Sequence, residues 1–225
     1  MSLKPRKQYI FMLEGDTEKW YLEWLQNIIN SYESSLYKCV FEYNQPNPLK
    51  LCRTLNILNP TNIYAIIDTE RASEQEKFKN TLKQMKEAKK SKEIKFKLGY
   101  SNISFELWLL LHKEMSSRSL MRQEEYLTHI NRTYNLNFQS LVKYKHKDEF
   151  KKLLDKLTLS DVFTAIRNAK RIDLLNHENN IIQNLYNFEY YEENPSLSVH
   201  NIIEQILKDC GLLQLDNPSN LYQLH

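Results

Sequence analysis

The sequence predicts an α/β protein with a mainly parallel, four-stranded sheet flanked by helices and an all-helical C-terminal extension. Strand-like and helix-like segments alternate over residues 1–100, as expected when helices connect parallel strands. The chain has only three glycines in 225 residues, which disfavours the many tight hairpin turns of an all-β fold. We therefore predict an α/β core over residues 1–115 and a helical extension over residues 116–225, with one continuous domain as the alternative.

The composition limits the class of protein. Hydrophobic residues make up 41% of the chain and aromatic residues 12%, which is enough for a packed core and excludes global disorder. Three cysteines without a Cys-x-x-Cys pair exclude a disulfide scaffold and favour a reducing compartment. The longest apolar run, Leu107 to Leu111, is far shorter than the roughly 20 residues of a membrane helix. We expect a cytoplasmic protein with no membrane partner. The net charge of +3 does not by itself indicate nucleic-acid binding.

Four apolar segments predict the strands. Tyr9 to Leu13 and Ile63 to Ile67 are continuous apolar runs, which suit strands buried on both faces. Tyr37 to Tyr43 alternates between apolar and polar residues and predicts the second strand. In the fourth, Ile94 to Leu98, lysines alternate with apolar residues, which is typical of an edge strand.

Helical spacing connects these strands and continues beyond them. After Thr17, a predicted N-cap, apolar residues recur every three or four positions up to Ile29. Asn47-Pro48 opens a short helix, because proline suits the first helical turn, and a Lys/Glu-rich helix follows the third strand. We predict no strand after residue 100, although Phe188 to Tyr191 is ambiguous. The remaining predicted helices span residues 104–113, 118–135, 147–157, 160–176 and 196–209.

Acidic residues follow two of the buried strands. Glu14 comes directly after the first strand and Asp68 directly after the third, with Glu70 two residues further on. Ligands bind at the carboxyl ends of strands in open α/β sheets, and alternate residues of an extended chain share one side. Glu14 joins Asp68 and Glu70 if strands one and three are neighbours. Carboxylates within about 4–5 Å of one another repel, so they take up protons or bind a cation, and oxygen ligands favour Mg²⁺ or Mn²⁺. The alternative is that these acids cap the following helices.

A third acidic residue lies in unusual surroundings. Glu106 sits within an apolar wall that runs from Phe105 to Leu111, where an ionised carboxylate is costly unless it is paired or binds a metal. The alternative is an exposed first turn capped by Ser104. His112, at the end of this helix, is more typical of a helix-dipole partner than of a metal ligand.

Two groups of lysines are candidates for contact with phosphate. Lys145 follows Tyr144 in a basic loop and would neutralise charge that develops on a phosphate, with Lys143 as a neighbouring contact. Lys89 and Lys90 belong to a basic run between residues 83 and 97 that would track a nucleic-acid backbone. The alternative for both groups is an ordinary solvated surface.

At these positions the chain resembles the RloB-like proteins, which are associated with bacterial restriction and abortive-infection loci. The most specific match is the Ser-Asn-x-x-Phe-Glu-Leu-Trp stretch over residues 101–108, and the matches spread over nearly the whole chain. The other matching segments are residues 14–18, Asp68-Thr69-Glu70, Tyr144-Lys145, the helix from Ala165 to Ala169, and residues 194–199.

The resemblance implies a divergent Toprim-like domain, in which a Glu after strand one and an Asp-x-Asp after strand three hold Mg²⁺. It implies that Glu14 is a metal ligand or general acid/base, that Asp68 is a ligand and that Glu106 is a further site residue. Glu70 departs from this pattern, since aspartate is usual there, and its extra methylene group would shift the coordination or weaken catalysis.

Together these features favour an Mg²⁺- or Mn²⁺-dependent nuclease of DNA or RNA in anti-phage defence. An ATPase partner is implied by the family's genetic setting alone. The sequence leaves open whether the chain forms a homo-oligomer. The first alternative is a non-catalytic component that binds nucleic acid or a partner. The second is a phosphatase with Asp68 as nucleophile, although that nucleophile usually ends the first strand. No phosphate-binding P-loop motif is present, so we do not expect the chain itself to hydrolyse ATP.

Overall fold

A computed structural model describes residues 4–56, 59–69, 75–89, 93–115, 120 and 122–213. All statements about the structure below refer to these residues. The strands are β1 (Arg6–Leu13), β2 (Lys38–Asn44), β3 (Thr61–Asp68), β4 (Ile94–Asn102), β5 (Gln183–Leu185), β6 (Phe188–Tyr190) and β7 (Ser196–Leu197). The helices are α1 (Asp16–Ser31), α2 (Pro48–Thr54), α3 (Gln75–Ala88), α4 (Glu106–Leu111), α5 (Gln123–Tyr134), α6 (Leu141–Tyr144), α7 (Lys147–Leu154), α8 (Leu159–Asn179) and α9 (Val199–Asp209).

The fold is α/β and its main sheet is mostly parallel, as predicted. The sheet has five strands, whereas the sequence predicted four. Its order is β2-β1-β3-β4-β7, and the first four strands are parallel. The fifth, β7, runs antiparallel to the end of β4 and pairs Leu197 with Ser101 and Ser196 with Asn102. A strand of two residues has no periodicity to detect, so the prediction of no strand after residue 100 was wrong.

A second correction concerns the C-terminal half, which is not all-helical. Strands β5 and β6 form an antiparallel hairpin joined by Tyr186 and Asn187. Both residues have positive φ, 57° and 67°, as a two-residue type I′ turn requires. The scarcity of glycine therefore did not prevent a tight hairpin here. The division of the chain at residue 115 stays a prediction.

Helices cover both faces of the sheet. Successive residues of β1, such as Phe11 and Met12, belong to two different hydrophobic clusters, because successive side chains of a strand point to opposite faces. The Phe11 face packs against α1, α4, α8 and α9. The Met12 face packs against α2, α3 and the β5–β6 hairpin. No helix among the described residues is long and apolar enough to cross a membrane.

Helix α1 also closes the outer edge of strand β2. The Asn30 side chain accepts the backbone N–H of Cys39 and donates to its carbonyl, at 2.7 and 2.9 Å. Gln26, one turn earlier, accepts the backbone N–H of Phe41. Backbone groups of an edge strand are a template for another strand, and these two side chains occupy them.

Two helix starts differ from the predictions, while a third is confirmed. Helix α1 begins at Asp16 with Gly15 as N-cap, so Thr17 is not the cap and instead bonds its neighbour in the first turn. Helix α9 begins at Val199, because Ser196 and the residue after it are held in β7. Helix α2 begins at Pro48, as predicted from Asn47-Pro48.

Candidate functional site at the carboxyl edge of the sheet

The ends of strands β1 and β3 meet through Glu14. Its carboxylate oxygen Oε2 accepts the backbone N–H of Asp68 at 3.0 Å. Its other oxygen pairs with the ammonium group of Lys77 from α3. Glu14 is 17% exposed and Lys77 62% exposed, so this ion pair faces solvent on one side. The structure thus brings the Glu14 side chain to the backbone of Asp68, because β1 and β3 are neighbours in the sheet.

The segment after β3 is tied to the end of β4. The N–H of Thr69 donates to the carbonyl of Ser101, and its hydroxyl donates to Oδ1 of Asn102, both at 3.0 Å. Glu70, the predicted third carboxylate, lies outside the described residues. The backbone that leads to it is therefore fixed by the Ser-Asn segment of the most specific motif.

Asn102 connects this edge to the C-terminal half of the chain. Its Nδ2 donates to the carbonyls of Glu192 and Glu193 at 2.8 and 3.0 Å, with a longer contact of 3.4 Å to Tyr191. It is 4% exposed, so these bonds form out of water. Asn102 is thus a structural link, which explains a motif residue that the sequence argument left without a role.

Behind Glu14 lie two buried carboxyl groups, Glu106 and Glu18, each 3% exposed. Glu106 begins α4 and accepts a hydrogen bond from Ser104. Glu18 lies in the first turn of α1 and accepts one from Thr17 at 2.9 Å. Burial raises the pKa of Glu18 to about 7, and the charges of Glu106 and Glu14 add to the shift. Glu18 is therefore a group that can carry a proton near neutral pH.

The sequence argument did not single out Glu18. Its position gives one detectable sign, since it is buried in line with Tyr21, Leu22, Leu25 and Ile29. These residues recur every three or four positions and form the apolar stripe of α1. A carboxylate on such a stripe is costly to bury unless it is protonated or paired, so the spacing alone could have identified it.

Tyrosine and serine hydroxyls surround the carboxyl groups. Burial and then the charge of Glu106 raise the pKa of Tyr144 well above its usual value. Burial also raises the pKa of Tyr126, and the charges of Glu106 and Asp68 contribute. Within the described part of the chain, the hydroxyl of Ser101 is buried without a hydrogen-bond partner, whereas the Tyr144 hydroxyl interacts with Glu106 and the Tyr126 hydroxyl with Asn194. Buried polar groups normally have partners, so this region has unused capacity to bind a water or ligand.

The lysines predicted to contact phosphate lie in two places. Lys143 and Lys145 are exposed at the end of α6, and Lys145 directly follows Tyr144, whose pKa responds to Glu106. Lys89 is partly covered, with its ammonium 4.6 Å from the centre of the Phe188 ring. Burial, Lys95 and Lys97 lower its pKa. Lys90 lies outside the described residues.

Lys95 and Lys97 of β4, which neighbour Lys89, do not lie at the acidic edge of the sheet. Lys97 is paired with Tyr64 in the sheet, four residues before Asp68, which corresponds to about 13 Å along a strand. The lysines near Lys89 therefore form a surface apart from the carboxyl groups. Lys145, in contrast, directly follows Tyr144, whose pKa is raised in part by the charge of Glu106.

His112 is a structural residue and not a metal ligand in this arrangement. It is 1% exposed, with Nδ1 2.9 Å from the carbonyl of Trp108 and Nε2 3.0 Å from the hydroxyl of Tyr21. A ring that donates from Nδ1 and accepts at Nε2 is neutral, and burial lowers the pKa of His112 to about 4.

The carboxylates at the carboxyl edge of the sheet suit a hard cation that is held by few protein ligands. The described residues contain no group of three or more His, Cys, Asp or Glu side chains placed to hold a metal ion. Mg²⁺ is commonly bound by one or two carboxylates, with waters and substrate phosphates completing its shell. Glu14 and Asp68, at adjoining strand ends, fit this pattern, and the three hydroxyls lie in the same buried region.

Comparison with known proteins identifies a family to which the chain is similar. No curated protein and no solved structure in the comparison matches the chain. The family model described as RloB-like protein matches residues 9–206. That range includes all of the acidic residues discussed above and every strand of the main sheet except the first three residues of β1. The chain belongs to the RloB-like protein family.

Proposed function

We propose that this protein is an Mg²⁺- or Mn²⁺-dependent nuclease that hydrolyses phosphodiester bonds in bacterial anti-phage defence. The observation that carries the proposal is the contact between the Glu14 carboxylate and the Asp68 N–H at the carboxyl ends of adjoining parallel strands. Such strand ends are where α/β sheets bind ligands. A Toprim-like relation and an ATPase partner belong to the same proposal and follow from the family resemblance. A cytoplasmic location, also proposed, follows from the cysteine content and the short apolar runs.

In this proposal Glu14 and Asp68 hold the metal, and Glu70 supplies a third carboxylate. The metal, once bound, polarises the phosphodiester and lowers the pKa of an attacking water. The Lys77 ammonium already balances the charge of Glu14. Because exposed ion pairs contribute about 0–1 kcal/mol, a divalent cation can displace Lys77 at little cost.

The remaining groups supply proton transfer and substrate contact. Glu18 carries a proton near neutral pH and suits the general acid that protonates the leaving oxygen. Glu106 either binds a second ion or orients the water. Lys145 neutralises charge that develops on the phosphate. Lys143, Lys89 and Lys90 bind the nucleic-acid backbone by charge alone, which makes the affinity fall as salt rises.

The decisive test is Mn²⁺-dependent cleavage of a panel of DNAs, RNAs and tRNAs by the full chain. We expect Asp68→Asn and Glu14→Gln to lose at least about 100-fold in rate, because even outer-shell partners of a metal account for 10–100-fold. Glu42→Gln, a partly buried carboxylate of strand β2, is the matched control and should keep its activity. Folded Asp68→Asn protein that cleaves as fast as the parent would refute the proposal.

A second candidate is a non-catalytic component that binds nucleic acid or a partner protein. The observation that favours it is the Lys77–Glu14 pair, which leaves the acidic edge neutralised without a metal. The same assay separates the two candidates. Salt-dependent binding with no cleavage in Mg²⁺ or Mn²⁺, with and without the ATPase partner, would support the second.

A further inference from the structure

Two cysteines far apart in the sequence lie side by side in the fold. Cys39 belongs to β2 and Cys210 follows the last residue of α9, and their sulfur atoms are 3.2 Å apart. They are 1% and 0% exposed. A disulfide has an S–S length of about 2.05 Å, so bond formation requires a movement of about 1 Å. Cys52, the third cysteine, belongs to the cluster on the opposite face of the sheet.

The surrounding backbone holds the two sulfur atoms in register. The N–H of Leu36, just before β2, donates to the carbonyl of Cys210 at 2.9 Å. Asp209 accepts a hydrogen bond from the Tyr9 hydroxyl at 3.0 Å and pairs with Lys7 at 2.8 Å. The end of α9 is therefore fixed to both β1 and the segment that leads into β2.

The two thiols differ in acidity because one hydrogen-bonds the other. The hydrogen bond from Cys39 lowers the pKa of Cys210 to about 7, and burial opposes the shift. The same bond raises the pKa of Cys39. The proton is thus retained on Cys39, and Cys210 supplies the thiolate, which is the nucleophilic form of cysteine.

We propose that Cys39 and Cys210 are a modification site that forms a reversible intramolecular disulfide with hydroperoxides. The Cys210 thiolate attacks one peroxide oxygen, the O–O bond breaks, and Cys210 becomes a sulfenic acid. The hydroxide that leaves takes up the proton that the Cys210 thiol had lost and becomes water. The Cys39 sulfur then attacks that sulfenic sulfur and a second water leaves. Overall, two thiols and one hydrogen peroxide give one disulfide and two waters, and the two sulfurs supply the two electrons that reduce the peroxide.

Two surface cavities come close to this pair. Cys39 lies in the wall of a surface depression of about 490 Å³ between α1 and β2. Tyr9 and Asp209, next to Cys210, line a larger groove of about 1120 Å³ on the other side. The oxidant therefore has to cross only the layer of side chains between these cavities and the sulfur atoms.

The test treats the full reduced chain with hydrogen peroxide, alkylates the remaining thiols and maps the peptides without reduction. We expect one cross-linked pair that contains Cys39 and Cys210, two hydrogens lighter than the free peptides, with Cys52 alkylated. The midpoint of thermal unfolding should rise by about 10 °C, as expected for closing so long a loop in a chain of this size. Dithiothreitol should reverse both changes.

Single variants provide the controls. Cys52→Ser should keep the cross-link, whereas Cys39→Ser and Cys210→Ser should lose both the cross-link and the thermal shift. Where a variant does not fold, the peptide map of the parent decides alone. The proposal is overturned if the peroxide-treated parent retains free thiols at both positions, links Cys52, forms only sulfinic acid or cross-links between chains.

Discussion

Glu18 sits among the apolar side chains of α1 with a pKa raised from 4.5 to about 7. In the unfolded chain it loses its proton near pH 4.5, but in the folded protein it keeps the proton to about pH 7. The unfolded state therefore binds fewer protons across this window, and the contribution of Glu18 to stability falls as pH rises through it. Above pH 7 the loss is complete.

Replacing Glu18 with glutamine should remove this pH dependence. We expect the free energy of unfolding of Glu18→Gln, relative to the parent, to increase between pH 4.5 and 7 by about 1 kcal/mol per pH unit at the steepest. Urea unfolding in metal-free buffer measures it. Glu23→Gln, on the more exposed side of the same helix, should show no such trend. Parallel pH profiles for Glu18→Gln and the parent would contradict the assignment.

Asn102 gives a second prediction at the scale of one side chain. Asn102→Ala removes the donor to the Glu192 and Glu193 carbonyls and the acceptor for Thr69. Because buried groups lose their partners, we expect the free energy of unfolding to fall by about 2–4 kcal/mol. Denaturant unfolding measures the loss, with the exposed Asn137→Ala as control. A loss below about 0.5 kcal/mol would show that Asn102 does not hold this edge.

Sequence patterns predicted Glu14 and Asp68 at the ends of apolar strand runs, and Glu106 within an apolar helix. That β1 and β3 are neighbours, which brings Glu14 to the backbone of Asp68, is an observation of the structure. The apolar stripe of α1 identifies Glu18 as a buried acid. No local pattern shows that Tyr126 and Tyr144 come close to Glu106, because that depends on how separate helices pack. The function of the site itself remains a prediction.

Among the elements, β4 and α9 approach each other closely at Gly99. A methyl group added there would lie 2.6 Å from Cδ1 of Ile202 and 3.3 Å from Cα of Val199. Carbon atoms make favourable contacts at about 3.5–4.0 Å. Glycine therefore allows the last helix to lie directly on the strand that ends in Asn102.

We expect Gly99→Ala to lower the free energy of unfolding by about 1–3 kcal/mol through overpacking. The double variant Gly99→Ala/Ile202→Val removes the clashing Cδ1 and should be less destabilised than the sum of the two single variants. A double-mutant cycle by denaturant unfolding measures this coupling. Additive losses would mean that the strand and helix separate too easily for this contact to matter.

Long strands were predictable and short ones were not. The first four strands carry five or more residues of clear pattern, and all four were confirmed. Strands β5, β6 and β7 have two or three residues each, too few for periodicity to separate them from loop. Strand β7 exists because Ser101 and Asn102 offer it a partner, and a partner distant in sequence cannot be read from local pattern.

At the scale of the whole molecule, α1 determines whether the sheet ends at β2. Asn30→Leu and Gln26→Leu would together free the backbone groups of Cys39 and Phe41. Because unpaired edges recruit other strands, we expect the double variant to form dimers or larger species that increase with concentration. Light scattering after size exclusion measures this. Asn27→Leu, an exposed neighbour, is the control, and a double variant of the same mass as the parent would contradict the prediction.

The link from Asn102 to the carbonyls of residues 191–193 also sets the order in which a new chain can mature. Its acceptors lie 89 to 91 residues further along the sequence. At about 5–20 residues per second, a ribosome needs several seconds to make that stretch after Asn102 has been added. During this interval the acidic edge lacks the segment that anchors it. A nascent chain, or one cut short before residue 190, therefore carries the acidic residues without their completed frame.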